Sequence, residues 1–470
     1  MKNFGWTLAG MLAAVVMLAR NEFALAIELG GLSGPPRPAA VAQSPAGWPQ
    51  WGGPTRDFKV PAGRLAPWPA SGPREIWSRA LGEGYSAIAA DGSTLFTQYR
   101  PVKGVLGTIV GRLTGSTAAE VVAGLDAATG RTRWEHVYEA PMPSGMDLSE
   151  GPGPHATPLL VGDLVYAAGA TGKLHALDKG TGRVVWAHDL WQELNGKVQG
   201  RGYSCSPLAY GGNVIVTVGG PGQTLAAFDL KTGRLAWKNG DLDPAPSSPL
   251  LITVSGQEQI ALFHADGVAG FDPRNGELLW NHAHRTNHGL NIATPVWGED
   301  NLLFISSAYG SGSRVLRLAQ AAGKTTVKEL WASNRMRVHF GDAIRIGDYV
   351  YASSGDFGPA VFTAVNVRTG DIAWQTRDVA RASSVYGDGQ LVILDEEGTL
   401  YLATVTPQAL QVRAKAQVLS GRSWTVPTLV GTRVYLRDRT SIKALELGAR
   451  PGNTENGLLK RSFGPREYGS

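Results

Sequence analysis

The amino-acid sequence predicts an all-β chain, an eight-bladed β-propeller of four-stranded antiparallel blades whose ring is closed by N- and C-terminal strands. Three observations predict it. Gly accounts for 61 of 470 residues and Trp for 14, so both turns and large aromatic anchors are abundant. A short motif ending in Trp recurs about every 50 residues. Between its copies apolar and polar residues alternate, with no extended helical period.

The repeated motif is an acidic or amide residue, two residues, Thr or Asn, Gly, three residues and Trp. Its Gly can adopt the positive φ of a tight hairpin, and the Asp or Asn oxygen can accept turn N–H groups. We interpret its Trp as structural, a plug between neighbouring blades, because a buried indole removes much apolar surface from water. The copies run from Asp126 to Trp134, Asp178 to Trp186, Asp229 to Trp237, Asp272 to Trp280 and Asn366 to Trp374, with Trp77 and Trp331 in phase outside the full motif.

Each repeat supplies four short strands, and stacking such sheets in a ring covers both faces of each. The last unit, residues 423–447, has only three strands, whereas the strand at 75–78 has no blade of its own. Pairing these two closes the ring. The innermost strands are predicted to begin near Tyr85, His155, Tyr203, Ser247, Asn291, His339, Ala382 and Trp424, which makes eight blades.

The chain ends are predicted to lie outside the propeller, which spans residues 48–447. Residues 1–26 have the charged start, apolar run and small residues at Ala24 and Ala26 of a signal peptide, and the run is short for a membrane span. Residues 27–47 are a Pro/Ala-rich linker and 448–470 a flexible tail. This predicts an exported protein, periplasmic or secreted, without stable membrane insertion after cleavage. No cysteine lies near the signal, so lipoprotein attachment is not expected.

Composition and motifs exclude several functional classes. A single Cys rules out an intramolecular disulfide and a multi-cysteine zinc site. The net charge of +5 is too diffuse to indicate a nucleic-acid partner. Serine-hydrolase, zinc-protease, Walker and dinucleotide motifs are missing, so no catalytic residue is assigned. His282, His284 and His288 are the best metal candidates, but no carboxylate is close in sequence and no metal site is assigned.

The loops leading into the innermost strands of a propeller converge on one mouth of its channel. Here they collect His, Arg, Tyr and Asn, and a convergent polar rim is the usual place for a ligand or a peptide. The alternative is a water-filled channel whose polar groups are satisfied. The ligand-binding candidates are Tyr85, His155, Arg201, Tyr203, Asn291, His339, Asp342 and Trp424.

The repeat, the segment 48–54 (Trp-Pro-Gln-Trp-Gly-Gly-Pro) and the Gly-Tyr-Ser sequences at Gly84 and Gly202 resemble the pyrroloquinoline quinone (PQQ)-like propeller superfamily, in its secreted bacterial BamB-like branch. The resemblance implies an eight-bladed ring. It also implies one of two functions: binding of protein partners through propeller loops, as in outer-membrane assembly, or quinoprotein alcohol oxidation. Those dehydrogenases hold PQQ beneath an adjacent-cysteine disulfide, with calcium on carboxylate and amide ligands. One cysteine cannot form that disulfide, and Asp342 is the one attractive catalytic base.

Two hypotheses follow. The first is a non-enzymatic periplasmic or secreted scaffold, BamB-like, which binds protein, peptide or envelope partners through one propeller face and needs no cofactor. The alternative is a PQQ-dependent oxidoreductase with PQQ and calcium at the channel mouth, which rests on the family resemblance alone.

Overall fold

The computed structural model describes residues 47–102, 118–356 and 358–449. These ranges hold 32 β-strands and no helix, hence no helix that could cross a membrane. The predicted signal peptide, the predicted linker up to residue 46 and the predicted tail beyond residue 449 lie outside the described residues.

The strands form eight four-stranded antiparallel sheets, as predicted. Each sheet is one blade, and in seven of the eight blades the strands run outwards from the channel in chain order. Blade 1 contains β2 (Ala89–Ala90), β3 (Thr94–Tyr99), β4 (Ala119–Asp126) and β5 (Thr132–Glu139); blade 2 contains β6 (Leu159–Val161), β7 (Leu164–Ala168), β8 (Lys173–Asp178) and β9 (Val184–Asp189); blade 3 contains β10 (Leu208–Tyr210), β11 (Asn213–Thr217), β12 (Leu225–Asp229) and β13 (Leu235–Asn239); and blade 4 contains β14 (Leu250–Val254), β15 (Gln257–His264), β16 (Gly267–Phe271) and β17 (Leu278–Ala283).

The remaining blades complete the ring, and the last is built from both ends of the described chain. Blade 5 contains β18 (Val296–Gly298), β19 (Leu302–Ser307), β20 (Gly312–Ala321) and β21 (Lys324–Ser333); blade 6 contains β22 (Ala343–Ile346), β23 (Tyr349–Ser354), β24 (Val361–Asn366) and β25 (Ile372–Thr376); blade 7 contains β26 (Ala382–Gly387), β27 (Gln390–Asp395), β28 (Thr399–Val405) and β29 (Leu410–Gln417); and blade 8 contains β30 (Thr428–Val430), β31 (Arg433–Arg437), β32 (Ser441–Glu446) and β1 (Arg74–Ala80). Strand β1 pairs antiparallel with β32 and closes the ring, as predicted.

Most innermost strands begin a few residues later than the sequence predicts. In five blades a proline stands immediately before the first strand residue: Pro158, Pro207, Pro249, Pro295 and Pro427. Because proline has no N–H to give to a ladder, pairing can start only after it. The residues upstream of these prolines are therefore free to form loops at the channel mouth.

The repeated motif joins neighbouring blades. In blade 2, Asp178 Oδ1 accepts hydrogen bonds from the Thr181 backbone N–H (2.8 Å) and hydroxyl (2.6 Å), which holds the turn. The Trp186 indole then donates from Nε1 to the Leu230 carbonyl of blade 3 at 3.0 Å, and its ring lies against Gly233. The same seating of an indole on the next blade's motif glycine occurs for Trp77 on Gly130, Trp134 on Gly182, Trp237 on Gly276 and Trp331 on Gly370.

Two motif indoles dock differently because the next blade has a changed turn. Blade 5 lacks the Thr-Gly turn, and Trp280 donates instead to Gln259 within its own blade at 2.7 Å. Trp374 donates to the Thr406 carbonyl of blade 7 at 2.9 Å. The buried Nε1 of Trp237 has no hydrogen-bond partner among the described residues. The indole therefore packs on the next blade's motif glycine at five seams, and at some of these it also forms a hydrogen bond.

The segment from residue 47 to residue 66, here called the floor segment, crosses the channel at the end opposite the mouth. This crossing is not evident from the sequence of the segment. Its buried Arg56 donates to the carbonyl of Pro207 (2.9 Å) and to Gln50 Oε1 (3.1 Å). Its other contacts reach five blades: Trp48 pairs with Ala90, Pro49 accepts from Leu160, Trp51 donates to Thr294, Val60 donates to Tyr386 and Gly63 donates to Gly431.

Candidate binding surface at the channel mouth

Side chains from four blades stack over the channel mouth. Tyr85 lies parallel to the His155 ring, with 6.0 Å between centroids and 8° between planes. Its other neighbour is Trp424, at 5.4 Å, and Trp424 in turn contacts Phe340 at 4.6 Å. Three predicted site residues, from blades 1, 2 and 8, are thus brought together. Phe340, from blade 6, lies in one of the predicted mouth loops but was not among the candidates.

The stack continues to blade 5. The rings of Phe340 and His339 lie 5.0 Å apart, and those of His339 and Tyr309 lie 4.9 Å apart. The Tyr309 hydroxyl and Nε2 of His339 share a hydrogen bond of 2.5 Å. Sequence reasoning missed Tyr309 because it lies in the turn between β19 and β20, whereas only the loops before the innermost strands were searched. An aromatic residue in a turn on that same face was the signal available.

Arginine side chains cover the aromatic stack. The Arg422 guanidinium lies 5.0 Å from the centre of the Trp424 ring, and that of Arg381 lies 5.7 Å from Phe340, both within range of a cation–π interaction. Glu396 holds the two arginines, at 3.6 and 3.5 Å, and accepts from Trp424 Nε1 at 3.0 Å. These contacts fix the ring positions before any ligand arrives.

Positive and negative charge nearly balance at the mouth. Besides the Glu396 pairs, Arg439 is 3.2 Å from Glu83 and Arg337 is 3.1 Å from Asp356. Arg201 forms a 2.5 Å ion pair with Asp147. The mouth therefore carries little net charge.

The predicted histidines at the mouth are neutral at pH 7. Burial lowers the pKa of His155 and of His339 to about 4. Burial also raises the pKa of Tyr85 and of Tyr309. The rings therefore offer hydrogen bonds and apolar contact rather than charge, and the exposed charge at this face comes from the arginines and their carboxylates.

Three predicted ligand-binding residues lie beneath the surface. Tyr203 is buried and bonds through its hydroxyl to Thr217 at 3.3 Å. The Asn291 amide donates to the His264 carbonyl at 2.7 Å. Asp342 is buried and accepts from the Ser384 backbone N–H at 2.8 Å, and burial raises its pKa to about 7. The structure does not bring these side chains to the mouth surface; they brace the loops from below.

Arg201 belongs to a pair of loops beside the aromatic stack. These loops, residues 141–153 and 191–202, are here called the loop pair. The Asp147 N–H donates to the Gly200 carbonyl at 2.8 Å, in addition to the Asp147–Arg201 ion pair. Leu148 and Val198 are 41% and 46% exposed there. Exposed apolar side chains next to an arginine have the composition of a protein-binding surface.

The described residues contain no group of three or more His, Cys, Asp or Glu side chains that could hold a metal ion. His282 Nε2 lies 3.0 Å from Glu329 Oε2, a carboxylate of blade 5 distant in sequence. His284 Nδ1 instead accepts from Arg314 Nε at 2.8 Å. Arg314 also donates to Glu329 at 2.8 Å, so His282 and His284 share one hydrogen-bonded network, whereas the His288 ring lies 5.6 Å from that of Tyr309.

The mouth residues do not fit PQQ with calcium in the manner the resemblance implies. Cys205 is the one cysteine of the chain and is buried, so no adjacent-cysteine disulfide can form. Calcium needs six to eight oxygen ligands. The carboxylates Glu83, Asp356 and Glu396 are each held by arginine rather than grouped around a common point.

A cleft of about 570 Å³ lies at the other end of the channel, between the floor segment and the innermost strands of blades 4 to 6. Its rim holds the two parallel hydrogen bonds from Arg345 to Asp300, both 2.8 Å. These side chains satisfy one another, and the cleft contains none of the predicted site residues.

Comparison with known proteins identifies the family of this chain. The family profile described as "Outer membrane protein assembly factor BamB" matches residues 118–376, more than half of the sequence. The chain belongs to this family. It is 21% identical over 305 residues to the outer membrane protein assembly factor BamB of Yersinia pestis, a match that covers 60% of this chain and 72% of that protein.

This BamB family member is also similar to enzymes. It is 30% identical over 187 residues to the dehydrogenase subunit of the quinone alcohol dehydrogenase of Gluconobacter oxydans (strain 621H), covering 33% of this chain. The chain spans about a quarter of the length of the first such subunits that it matches.

Solved structures share the fold. BamB from Moraxella catarrhalis matches with a TM-score of 0.53 at 18% identity, covering 82% of this chain and all of that one. The quinohemoprotein alcohol dehydrogenase from Comamonas testosteroni matches with a TM-score of 0.59 at 13% identity, covering 90% of this chain and 84% of that one. At such identities the likeness concerns the fold alone.

Proposed function

We propose that this protein is a non-enzymatic scaffold of the cell envelope, periplasmic or secreted, that binds a protein or peptide partner through the mouth face of its propeller. The observation that carries the proposal is the loop pair, where Leu148 and Val198 are exposed beside Arg201. Arginine is enriched among the residues that dominate the energy of protein interfaces, and exposed apolar side chains beside it add surface that a partner can remove from water. Membership of the BamB family supports the same function.

The aromatic stack extends this surface across the mouth. Tyr85 and Trp424 are held in place by neighbouring rings and by Glu396, so little side-chain entropy would be lost when a partner packs on them. Because charge is balanced, we expect affinity to come from apolar and hydrogen-bonding contacts. Binding should therefore depend only weakly on salt.

Site-specific photocrosslinking tests the proposal. A photoreactive amino acid placed at Leu148 or at Val198 should yield one discrete crosslinked partner in cells, and the Arg201→Glu substitution should abolish it. The same label at Val412, which is 39% exposed on the outermost strand of blade 7, is the matched control. Crosslinks of equal yield from Val412, or none from the loop pair, would refute the proposal.

The second candidate is a PQQ-dependent oxidoreductase, supported by the sequence similarity to quinone alcohol dehydrogenase subunits. The test is the absorption spectrum of the purified protein after PQQ and calcium are added, together with dye-linked oxidation of alcohols. Spectral change with turnover would favour the enzyme. If the spectrum does not change and no alcohol is oxidised, the oxidoreductase hypothesis is refuted and the scaffold proposal stands.

A further inference from the structure

A buried ion pair of blade 1 lies where this blade meets blade 2, and it contacts the backbone from which the loop pair begins. Arg100 donates from Nη2 to Glu120 Oε1 at 2.8 Å, and the side chains are 9% and 0% exposed. Neither side chain belongs to the repeated motif or to the predicted site. A buried charge pair is a weak source of net stability, so its presence calls for another role.

The arginine end of this pair holds the first loop. The same Nη2 of Arg100 donates to the Ala140 carbonyl at 2.9 Å and approaches the Met142 sulfur at 2.9 Å, where the loop 141–153 leaves strand β5. The backbone of Arg100 also exchanges two 2.8 Å hydrogen bonds with Glu83, next to Tyr85. Arg100 thus ties the first loop to the aromatic stack.

The glutamate end reaches the second loop. Glu120 Oε1 accepts from the Ala170 N–H at 3.1 Å, while Oε2 accepts from the Tyr138 hydroxyl at 2.6 Å. The Ala170 carbonyl then accepts from the Tyr203 N–H at 2.8 Å, two residues after Arg201. A side chain at Gly169 would collide with Glu120 and Tyr138, so the backbone approaches this carboxylate as closely as it can.

We propose that Arg100 and Glu120 are a positioning pair that sets the loop pair in its binding geometry before a partner arrives. This inference rests on the proposed function of that surface. The Glu120 carboxylate accepts hydrogen bonds from Arg100, which holds the first loop, and from the Ala170 N–H, which contacts the end of the second. Movement of either loop would therefore break a charge-assisted hydrogen bond. Preorganisation of this kind strengthens binding because less conformational entropy is lost on association.

Hydrogen exchange followed by mass spectrometry tests the positioning role without a partner. Glu120→Gln keeps the shape of the side chain but removes its charge. We expect exchange in peptides covering 141–153 and 196–203 to become at least about tenfold faster, with the outer strands of blades 4 to 6 unchanged. Asp300→Asn, which breaks the Arg345 pair on the opposite face, is the control and should leave both loops unaffected.

The crosslinking yield at Leu148 links the pair to function. It should fall at least about fivefold in Glu120→Gln, in proportion to the loss of ordered loops. If Glu120→Gln does not fold, Tyr138→Phe, which removes one hydrogen bond and no charge, should give a smaller change in the same peptides. Unchanged exchange in both loops, an increase spread over all blades, or full crosslinking despite mobile loops would overturn the positioning role. If the wild type gives no crosslink at all, while Glu120→Gln still speeds hydrogen exchange in both loops, the proposed function would be overturned and the positioning role would stand.

Discussion

Gly233 of blade 3 packs closely against the indole ring of Trp186 of blade 2. A Cβ built on Gly233 would sit 2.7 Å from the ring, and the glycine itself has φ +70°. The motif glycine therefore has two tasks: it turns the hairpin, and it leaves room for the aromatic ring of the preceding blade. The same arrangement at Trp77 and Gly130 explains why the motif is repeated around the ring.

Gly233→Ala should destabilise the protein by about 2–4 kcal/mol, because it adds both backbone strain and a collision with the Trp186 ring. Gly222→Ala is the control, since Gly222 has φ +72° but nothing within 4 Å of the added carbon. Chemical denaturation of both variants separates the two effects. Equal losses would mean that contact with the indole is unimportant.

Trp186→Phe and Trp237→Phe should differ in cost. Both lose ring area, but Trp186 also loses its hydrogen bond to Leu230, whereas Trp237 loses a buried N–H that has no partner among the described residues. We expect Trp186→Phe to be more destabilising by about 1 kcal/mol. Truncation to Ala should cost about 3–5 kcal/mol at either site. Denaturation midpoints with unchanged slopes measure these differences, and a reversed order for the Phe variants would contradict the assignment.

Asp342 should make stability fall as the pH rises from about 4 to about 7. Burial raises its pKa to about 7 in the folded protein, so in this window the folded state keeps a proton that the unfolded state has already released. At about 1.4 kcal/mol per pKa unit, the loss is on the order of 4 kcal/mol by pH 8. Asp342→Asn should remove this dependence. Unfolding curves of both proteins at pH 4, 6 and 8 test it, and parallel pH profiles would show that the carboxyl does not titrate this way.

Cys205 should be unreactive in the folded protein. Burial raises the pKa of its thiol to about 11, and the sulfur lies 3.1 Å from the Ala245 carbonyl. Since the thiolate is the reacting species, labelling by a disulfide reagent at pH 8 should be slow in the native state and rapid in denaturant. Rapid labelling of the native protein would show that blade 3 opens at this point.

The blade architecture could be predicted because its causes are local. Asp178, Thr181 and Trp186 lie within one turn and one strand, so their spacing reports the hairpin directly. Blade closure by β1 followed from counting strands. The predicted start of an innermost strand is too early where a proline such as Pro207 delays pairing, and the proline itself is the signal in the sequence for the later start.

The candidate site was predictable only in part. Five of the predicted residues lie at the mouth: Tyr85, His155, Arg201, His339 and Trp424. Arg201 is exposed and the other four are partly buried. Tyr203, Asn291 and Asp342 come from the same loops but point into the protein. Loop membership is a sequence property, whereas side-chain direction depends on how neighbouring blades pack.

By itself, the sequence determined the eight blades, the packing of most motif indoles on the next blade's turn, and the face on which the loops converge. All three depend on spacing along the chain. Only the tertiary structure decided that Phe340 meets Trp424, that Glu329 meets His282, that the floor segment crosses the channel and that Arg100 and Glu120 connect the two loops. These contacts join residues far apart in sequence, and they are set by the angle and distance between blades, which no local pattern encodes.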